Sequence, residues 1–364
     1  MITMKTDLPA VFADFAAARQ QGFLAMKEMK ERGQGVVGLF CAYTPVEIFM
    51  AGGLVSVGLC ATSDETIAEA EKTLPSNLCP LIKSSYGFAV TDKCPYMYFS
   101  DLVVGETTCD GKVKMYELLG EFKNMHVLQL PHTQNTPEAQ THWRAEIARL
   151  KERVERDFNI SISDEKLRDA IHRRNIERAL LKELYELNVL TPPPMTGLDL
   201  LRVLFGSQFK FNWDAKMTEL RTAIDSIKAA YNAGKQPVPE TAPRILVTGC
   251  PLGGVTEKVV KVIEEAGAAV VTYENCSGAK QFDRQCKEDG DPLSNIADHY
   301  LQIGCSVMTP NPNRFELLDR LCRQFKVNGV VEMTLQACHT YAIEAYAIKR
   351  HLEKQNIPYL QLET

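Results

Sequence analysis

Short apolar runs alternate with longer amphipathic stretches along most of this chain, and the two periods rarely overlap. Leu8 to Gly33 opens with Phe12, Phe15, Phe23 and Met26 at helical spacing, which predicts a leading helix. From Gly35 the pattern becomes strand over Val36–Phe40, helix over Pro45–Met50 and strand over Leu54–Leu59. An apolar run over Asp101–Val104 then leads to Cys109, followed by a helix over Lys112–Phe122 and a strand over Met125–Leu130. Consecutive parallel strands need a long crossover, which a helix supplies, so this alternation predicts a parallel sheet with covering helices.

Residues 136–242 change character. Glu138–Asp157 and Asp164–Leu190 are charged, long and amphipathic, and Thr191-Pro192-Pro193-Pro194 ends the second run, since proline cannot continue a helix. Leu198–Leu204 and Asp214–Asn232 continue the helical pattern, and Gly234 to Pro243 reads as a linker. The charges of this insert read as a solvated face. Strand and helix alternation resumes with Arg244–Gly249, Thr256–Ala266, Ala269–Tyr273, helical runs over Asp298–Gln302 and Arg314–Gln324, and the strand Gly329–Met333. A long amphipathic run to Lys349 and a strand over Ile357–Leu362 close the chain. The expected fold is α/β: two Rossmann-like lobes with parallel sheets, residues 1–135 and 243–364, joined by a helical bridge and linker over 136–242. A covering helix would be expected after the last strand, so a terminal helix is expected to be missing.

Composition narrows the classes. Hydrophobic residues make up 45% and charged residues 24% of 364, as in soluble globular proteins, and that length suggests more than one core. A net charge of −5 without blocks of like charge argues against a nucleic-acid or anionic-membrane surface. The amino terminus lacks the apolar core of a signal peptide and no stretch reaches spanning length, which predicts a cytoplasmic protein. Eleven cysteines in such a compartment need an explanation other than disulfides, and none forms a C-x-x-C pair. They are buried small apolar residues or dispersed thiolate ligands of an iron–sulfur site.

Three of them occupy the same kind of place. Cys41, Cys109 and Cys338 each stand where an apolar strand stops and a helical run begins. In an open α/β sheet that is the carboxyl edge, where ligands bind, and a following helix favours the thiolate. Cys250 shares the position as a reserve ligand, while Cys60 and Cys322 read as packing. The turn Gly249-Cys250-Pro251-Leu252-Gly253-Gly254 is a tight strand-to-helix turn or an anion cradle, but it lacks the lysine of a P-loop. Leu78 to Gly87, with Cys79, Lys83, Ser84, Ser85 and Tyr86, is either a helix start or a loop that binds substrate or cluster sulfur. Glu47 is a helix-start carboxylate or an acid/base group, and His339 is structural or a basic group beside Cys338. Cys276 and Cys305 receive no role.

Phe40-Cys41-Ala42-Tyr43-Thr44-Pro45-Val46-Glu47, Asn77 to Ser85, Thr107-Thr108-Cys109-Asp110-Gly111, Tyr273 to Gly278 and Gln336-Ala337-Cys338-His339 together resemble the 2-hydroxyacyl-CoA dehydratase and benzoyl-CoA reductase family. The similarity is closest to its double-cubane-cluster branch of anaerobic reductases and runs over nearly the whole chain. The resemblance implies an oxygen-sensitive [4Fe-4S] cluster in each subunit, held by three cysteines that map onto Cys41, Cys109 and Cys338. It implies a separate ATP-hydrolysing iron–sulfur activator that delivers single low-potential electrons. In the dehydratases those electrons make a ketyl radical from a 2-hydroxyacyl-CoA. In the double-cubane branch two cubanes join through a sulfide and small molecules are reduced.

The expected function is therefore a homodimeric iron–sulfur reductase of a small-molecule substrate, charged by that activator. Three ligands leave a cubane one short of the usual four, which favours pairing of two chains. The alternatives are one subunit of a 2-hydroxyacyl-CoA dehydratase, and a non-catalytic two-lobed binding protein whose cysteines are core residues.

Overall fold

The computed structural model describes residues 11–250 and 253–364. The predicted leading helix runs from Val11 to Glu31 (α1), and its expected start at Leu8 lies outside the described residues, as do Pro251 and Leu252 of the glycine-rich turn. There follow β1 (Val36–Leu39), α2 (Val46–Ala51), β2 (Val55–Gly58), α3 (Ile67–Ala70), α4 (Pro80–Val90) and α5 (Pro95–Phe99). Next come β3 (Leu102–Glu106), α6 (Asp110–Leu119), β4 (Met125–Leu128), α7 (Pro137–Phe158), α8 (Asp164–Glu186), α9 (Gly197–Gly206) and α10 (Trp213–Asn232). The remainder is β5 (Arg244–Gly249), α11 (Gly254–Glu265), β6 (Ala269–Glu274), α12 (Pro292–Leu301), α13 (Pro312–Gln324), β7 (Gly329–Thr334), α14 (His339–Glu353) and β8 (Tyr359–Glu363).

Two four-stranded sheets form, and every strand pair in them is parallel, as the alternation predicts. Their strand orders are β2-β1-β3-β4 and β6-β5-β7-β8, so the two sheets have the same topology. The central strands β1, β3, β5 and β7 are almost entirely buried, as strands covered by helices on both faces should be. Gly249 ends β5 at φ +113, and a Cβ there would fall 1.9 Å from the Met333 carbonyl oxygen, so only glycine fits.

The chain divides into two compact units. The N-terminal unit holds Phe23–Ile176 and Arg284–Arg314, and the C-terminal unit holds Glu177–Asp283, Phe315–Thr364 and the start of α1. The helical residues 136–242 are thus shared between the two, and each unit has its own hydrophobic core. α7 shows why its pattern is readable. Thr136 caps its amino end, Pro137 opens it, and Trp143, Ile147, Leu150 and Val154 form a fully buried stripe.

Candidate active site at the strand ends

In the N-terminal unit the chain goes from β1 to β2 on one side and returns to β3 on the other. The carboxyl ends of β1 and β3 therefore flank a topological switch point, the crevice where open α/β sheets bind ligands. Cys41 lies just past β1 and Cys109 just past β3, so both predicted residues of this unit sit at that crevice, each half-buried. Cys41 leaves the strand at φ 72, a left-handed conformation costing a non-glycine residue of order 1–3 kcal/mol. Such strain persists where the surrounding structure enforces it, often at functional sites. Cys109 is the N-cap residue of α6 and makes no capping hydrogen bond through its side chain, which leaves its sulfur near the positive helix end.

Cys338 has the matching place in the C-terminal unit. It follows β7, caps α14 in a half-buried position, and is preceded by Ala337 at φ 55. Cys250 follows β5 as expected, but its thiol is engaged with the neighbouring strand end. It donates to the Met333 carbonyl at 3.4 Å and accepts from the Leu335 amide at 3.1 Å, which makes it a structural bridge. Among the described residues no group of three or more His, Cys, Asp or Glu side chains is arranged to hold a metal ion.

A polar cluster that sequence reasoning missed lies behind the N-terminal crevice. Glu106, the last residue of β3, is fully buried and accepts a hydrogen bond from the buried Thr44 hydroxyl. Burial pushes its carboxyl up to about 7, against the opposing pull of Thr44 and Lys112. Lys112, in the first turn of α6, is buried with its ammonium 6.0 Å from the centre of the Phe40 ring. Burial disfavours its charge, but Tyr116, Cys60, Cys41 and Glu106 outweigh that and hold its pKa well above the ordinary lysine value. Tyr116 is buried too, and desolvation carries its hydroxyl well above the ordinary tyrosine value. A lysine at a helix start opposes the helix dipole, and a glutamate ends an otherwise apolar strand, so both are visible anomalies in the sequence.

The remaining candidates separate clearly. Cys60 does not behave as core packing: it is half-buried just past β2 and feels the Lys112 charge. Cys322 does, at 4% exposure, and burial pushes its thiol up to about 12. Cys79 is a buried N-cap residue of α4, and the polar groups after it are used locally. Lys83 reaches Glu71 and the Ser76 carbonyl, Ser84 donates to Ser63, and Ser85 accepts from Ala61. The segment is therefore a helix start whose polar side chains hold the preceding loop. Glu47 is fully buried and accepts from Tyr300 Oη. Cys305 is buried, Cys276 is half-buried beyond β6, and His339 is exposed at the start of α14.

The donor chemistry fits an iron–sulfur group: half-exposed thiols at switch points, helix amino ends behind two of them, and a buried cation beside Cys41. Residues 41–364 match the family described as 2-hydroxyglutaryl-CoA dehydratase, D-component. The chain is 52% identical, over all 364 residues and 94% of its relative's length, to a putative dehydratase subunit, YjiM, of Escherichia coli strain K12. It is 22% identical to the (R)-phenyllactyl-CoA dehydratase beta subunit of Clostridium sporogenes, over 93% of this chain and 88% of that one. With a benzoyl-CoA reductase subunit of Thauera aromatica it shares 21% identity, over 96% of this chain and 89% of that one. No described helix is long and apolar enough to cross a membrane. With two parallel-sheet units, strand-end thiols and this breadth of similarity, the chain is an enzyme of the 2-hydroxyglutaryl-CoA dehydratase D-component family.

Proposed function

We propose that this protein is a cytoplasmic, oxygen-sensitive iron–sulfur reductase of a small molecule. It works as a homodimer and receives low-potential electrons from a separate ATP-hydrolysing iron–sulfur activator. The observation that carries this reading is the placement of Cys41 and Cys109 at the switch point of one parallel sheet, with Cys338 in the matching place on the other. Those three residues would hold a [4Fe-4S] cluster in each subunit, which when bound would supply single low-potential electrons.

The chain's own groups support that chemistry in separate ways. The amino end of α6 favours the thiolate of Cys109, and α14 does the same for Cys338. Lys112 supplies a permanent positive charge beside Cys41 in a setting from which water is excluded. The left-handed turn at Cys41 directs the chain abruptly out of β1, so the residue is presented by strained backbone rather than by a mobile loop.

A second reading, one subunit of a 2-hydroxyacyl-CoA dehydratase, draws on the 52% identity to a protein named as a putative dehydratase subunit. Anaerobic purification of the single chain tests both. Iron, acid-labile sulfide, a homodimer by light scattering and activator-dependent reduction of small molecules support the reductase. Water loss from a 2-hydroxyacyl-CoA that appears only when an unlike subunit is added supports the dehydratase. Protein without iron and sulfide overturns both.

A further inference from the structure

Each unit carries a buried threonine, glutamate, lysine and tyrosine near the carboxyl edge of its sheet, and the two sets differ in how far they are satisfied. In the C-terminal unit, Glu274 accepts from Thr248 Oγ1 and its Oε1 lies 2.9 Å from Lys280 Nζ. Lys280 also donates to Tyr341 Oη at 3.0 Å, so its ammonium is ion-paired with the carboxylate and bonded to the phenol. In the N-terminal unit Thr44 satisfies only one oxygen of Glu106. Glu106 Oε2 and Tyr116 Oη have no hydrogen-bond partner among the described residues, although both residues are at most 1% exposed. Lys112 lies beyond ion-pair distance of any described carboxylate and rests over the Phe40 ring. A purely structural network would bring its lysine onto its glutamate, as the C-terminal one does, because an unpaired charge in a dry interior is costly.

The groups acting on Glu106 come from two elements, Thr44 from the segment after β1 and Lys112 and Tyr116 from α6, while Cys41 and the segment after β2, through Cys60, act on Lys112 and Tyr116. Lys112 remains charged and Tyr116 remains protonated near neutral pH, so of these three ionisable groups only Glu106 changes charge there. Adding an electron to a low-dielectric site is opposed by its own field unless a proton follows.

We propose that Glu106 is the proton acceptor coupled to one-electron reduction of the strand-end thiolate site in the N-terminal unit, with Lys112 as its fixed countercharge. The inference rests on the iron–sulfur reading above. One electron enters from a low-potential one-electron reductant and one proton enters from solvent. The proton forms an O–H bond on the Glu106 carboxylate, no other bond in the protein breaks, and the net charge of the site is unchanged. Glu106 thereby acts as a positioning group for charge rather than as a group that touches substrate.

The test is a potentiometric titration of the anaerobically purified protein over roughly pH 6 to 9, bracketing the range in which a raised carboxyl titrates. Iron and sulfide are measured on the same samples. The wild-type potential should fall with rising pH, approaching about 59 mV per tenfold change in proton activity for one electron. Glu106→Gln should keep its iron and lose that dependence. Glu274→Gln, in the ion-paired network, should titrate like wild type. Thr44→Val removes a donor that favours the carboxylate, so its pH dependence should persist but move to higher pH. A flat wild-type potential, or a slope that survives in Glu106→Gln, overturns the inference. If Glu106→Gln does not fold, an unshifted profile in Thr44→Val assigns the proton to another group and overturns it equally. Iron-loaded protein with a flat potential defeats this inference alone, whereas protein without iron and sulfide defeats the underlying reading too.

Discussion

Tyr300 Oη donates a 2.7 Å hydrogen bond to Glu47 Oε2, joining residues 253 positions apart inside the N-terminal unit. The same hydroxyl accepts from the Val46 amide at 3.3 Å, so one side chain from α12 pins both the backbone and the carboxylate at the start of α2, the helix that follows Cys41. Tyr300→Phe removes that contact while keeping the ring. Loss of a donor to a buried carboxylate should cost about 1–3 kcal/mol in urea unfolding. A variant as stable as wild type would mean that Glu47 is held by its other contacts and that the tyrosine hydroxyl contributes nothing.

The strand-end thiols should separate from the packing thiols by metal content. Cys41→Ala, Cys109→Ala and Cys338→Ala should each lower iron per chain and abolish reductase activity, with circular dichroism unchanged because each unit has its own core. Cys322→Ala should keep its iron and lose about 1 kcal/mol, as expected for a small buried side chain. Cys60→Ala should also keep its iron, since Cys60 follows the edge strand β2 and not β1 or β3, which flank the crevice. Full iron in Cys41→Ala combined with iron loss in Cys60→Ala would refute the assignment.

Glu264 supplies a pH-dependent term in stability. Burial, the leading cause, raises its carboxyl to about 7, while the Gly197 amide that donates to Oε1 at 2.6 Å pulls the other way. The folded state then binds a proton that the unfolded state releases. Stability is therefore greatest below the unfolded value and falls as pH rises through about 7, by an upper limit of roughly 3 kcal/mol. Glu264→Gln should flatten that fall when unfolding midpoints are compared between acid and mildly alkaline buffer. A variant with the wild-type pH profile would assign the dependence elsewhere, with Glu106, raised for the same reason, as the next group to replace.

The buried pair Lys280 and Glu274 should be more harmful to break than to remove. Both side chains are at most 1% exposed, and Lys280 joins the carboxylate to Tyr341. Lys280→Met takes the ammonium away from the buried Glu274 carboxylate and should cost about 3–5 kcal/mol. Adding Glu274→Gln should restore part of that loss, giving a favourable coupling in a double-mutant cycle. Additive effects would show that the two side chains do not stabilise one another.

Much of this architecture is legible from the chain alone because it depends on local periodicity. The stripe Trp143, Ile147, Leu150, Val154 predicts α7 to within a residue at each end, and the apolar runs around β1, β3, β5 and β7 mark strands covered on both faces. α12 is foreseen only over its last turn, although Asp291 before Pro292 is a cap-and-proline start that marks its beginning. The strand-end positions of Cys41, Cys109 and Cys338 follow from the same periodicity, because a thiol's place relative to a strand end is a local fact.

Relations set by distance in space lie beyond the sequence. Cys250 and Cys41 each follow the first strand of their sheet, yet only the fold shows that Cys250 Sγ is bonded across to the end of β7. Cys60 reads as the end of an apolar run, and only the packing of α6 brings Lys112 near it. Glu106 and Lys112 are each out of place locally, but nothing along the chain joins them to Thr44 and Tyr116, since the four are spread over two strand ends and a helix. The sequence determined which residues stand at the edges of two parallel sheets, since burial periodicity is written along the chain. Tertiary structure decided which of those residues share an interior without water, because desolvation and charge depend on what is packed nearby and not on what is adjacent in sequence.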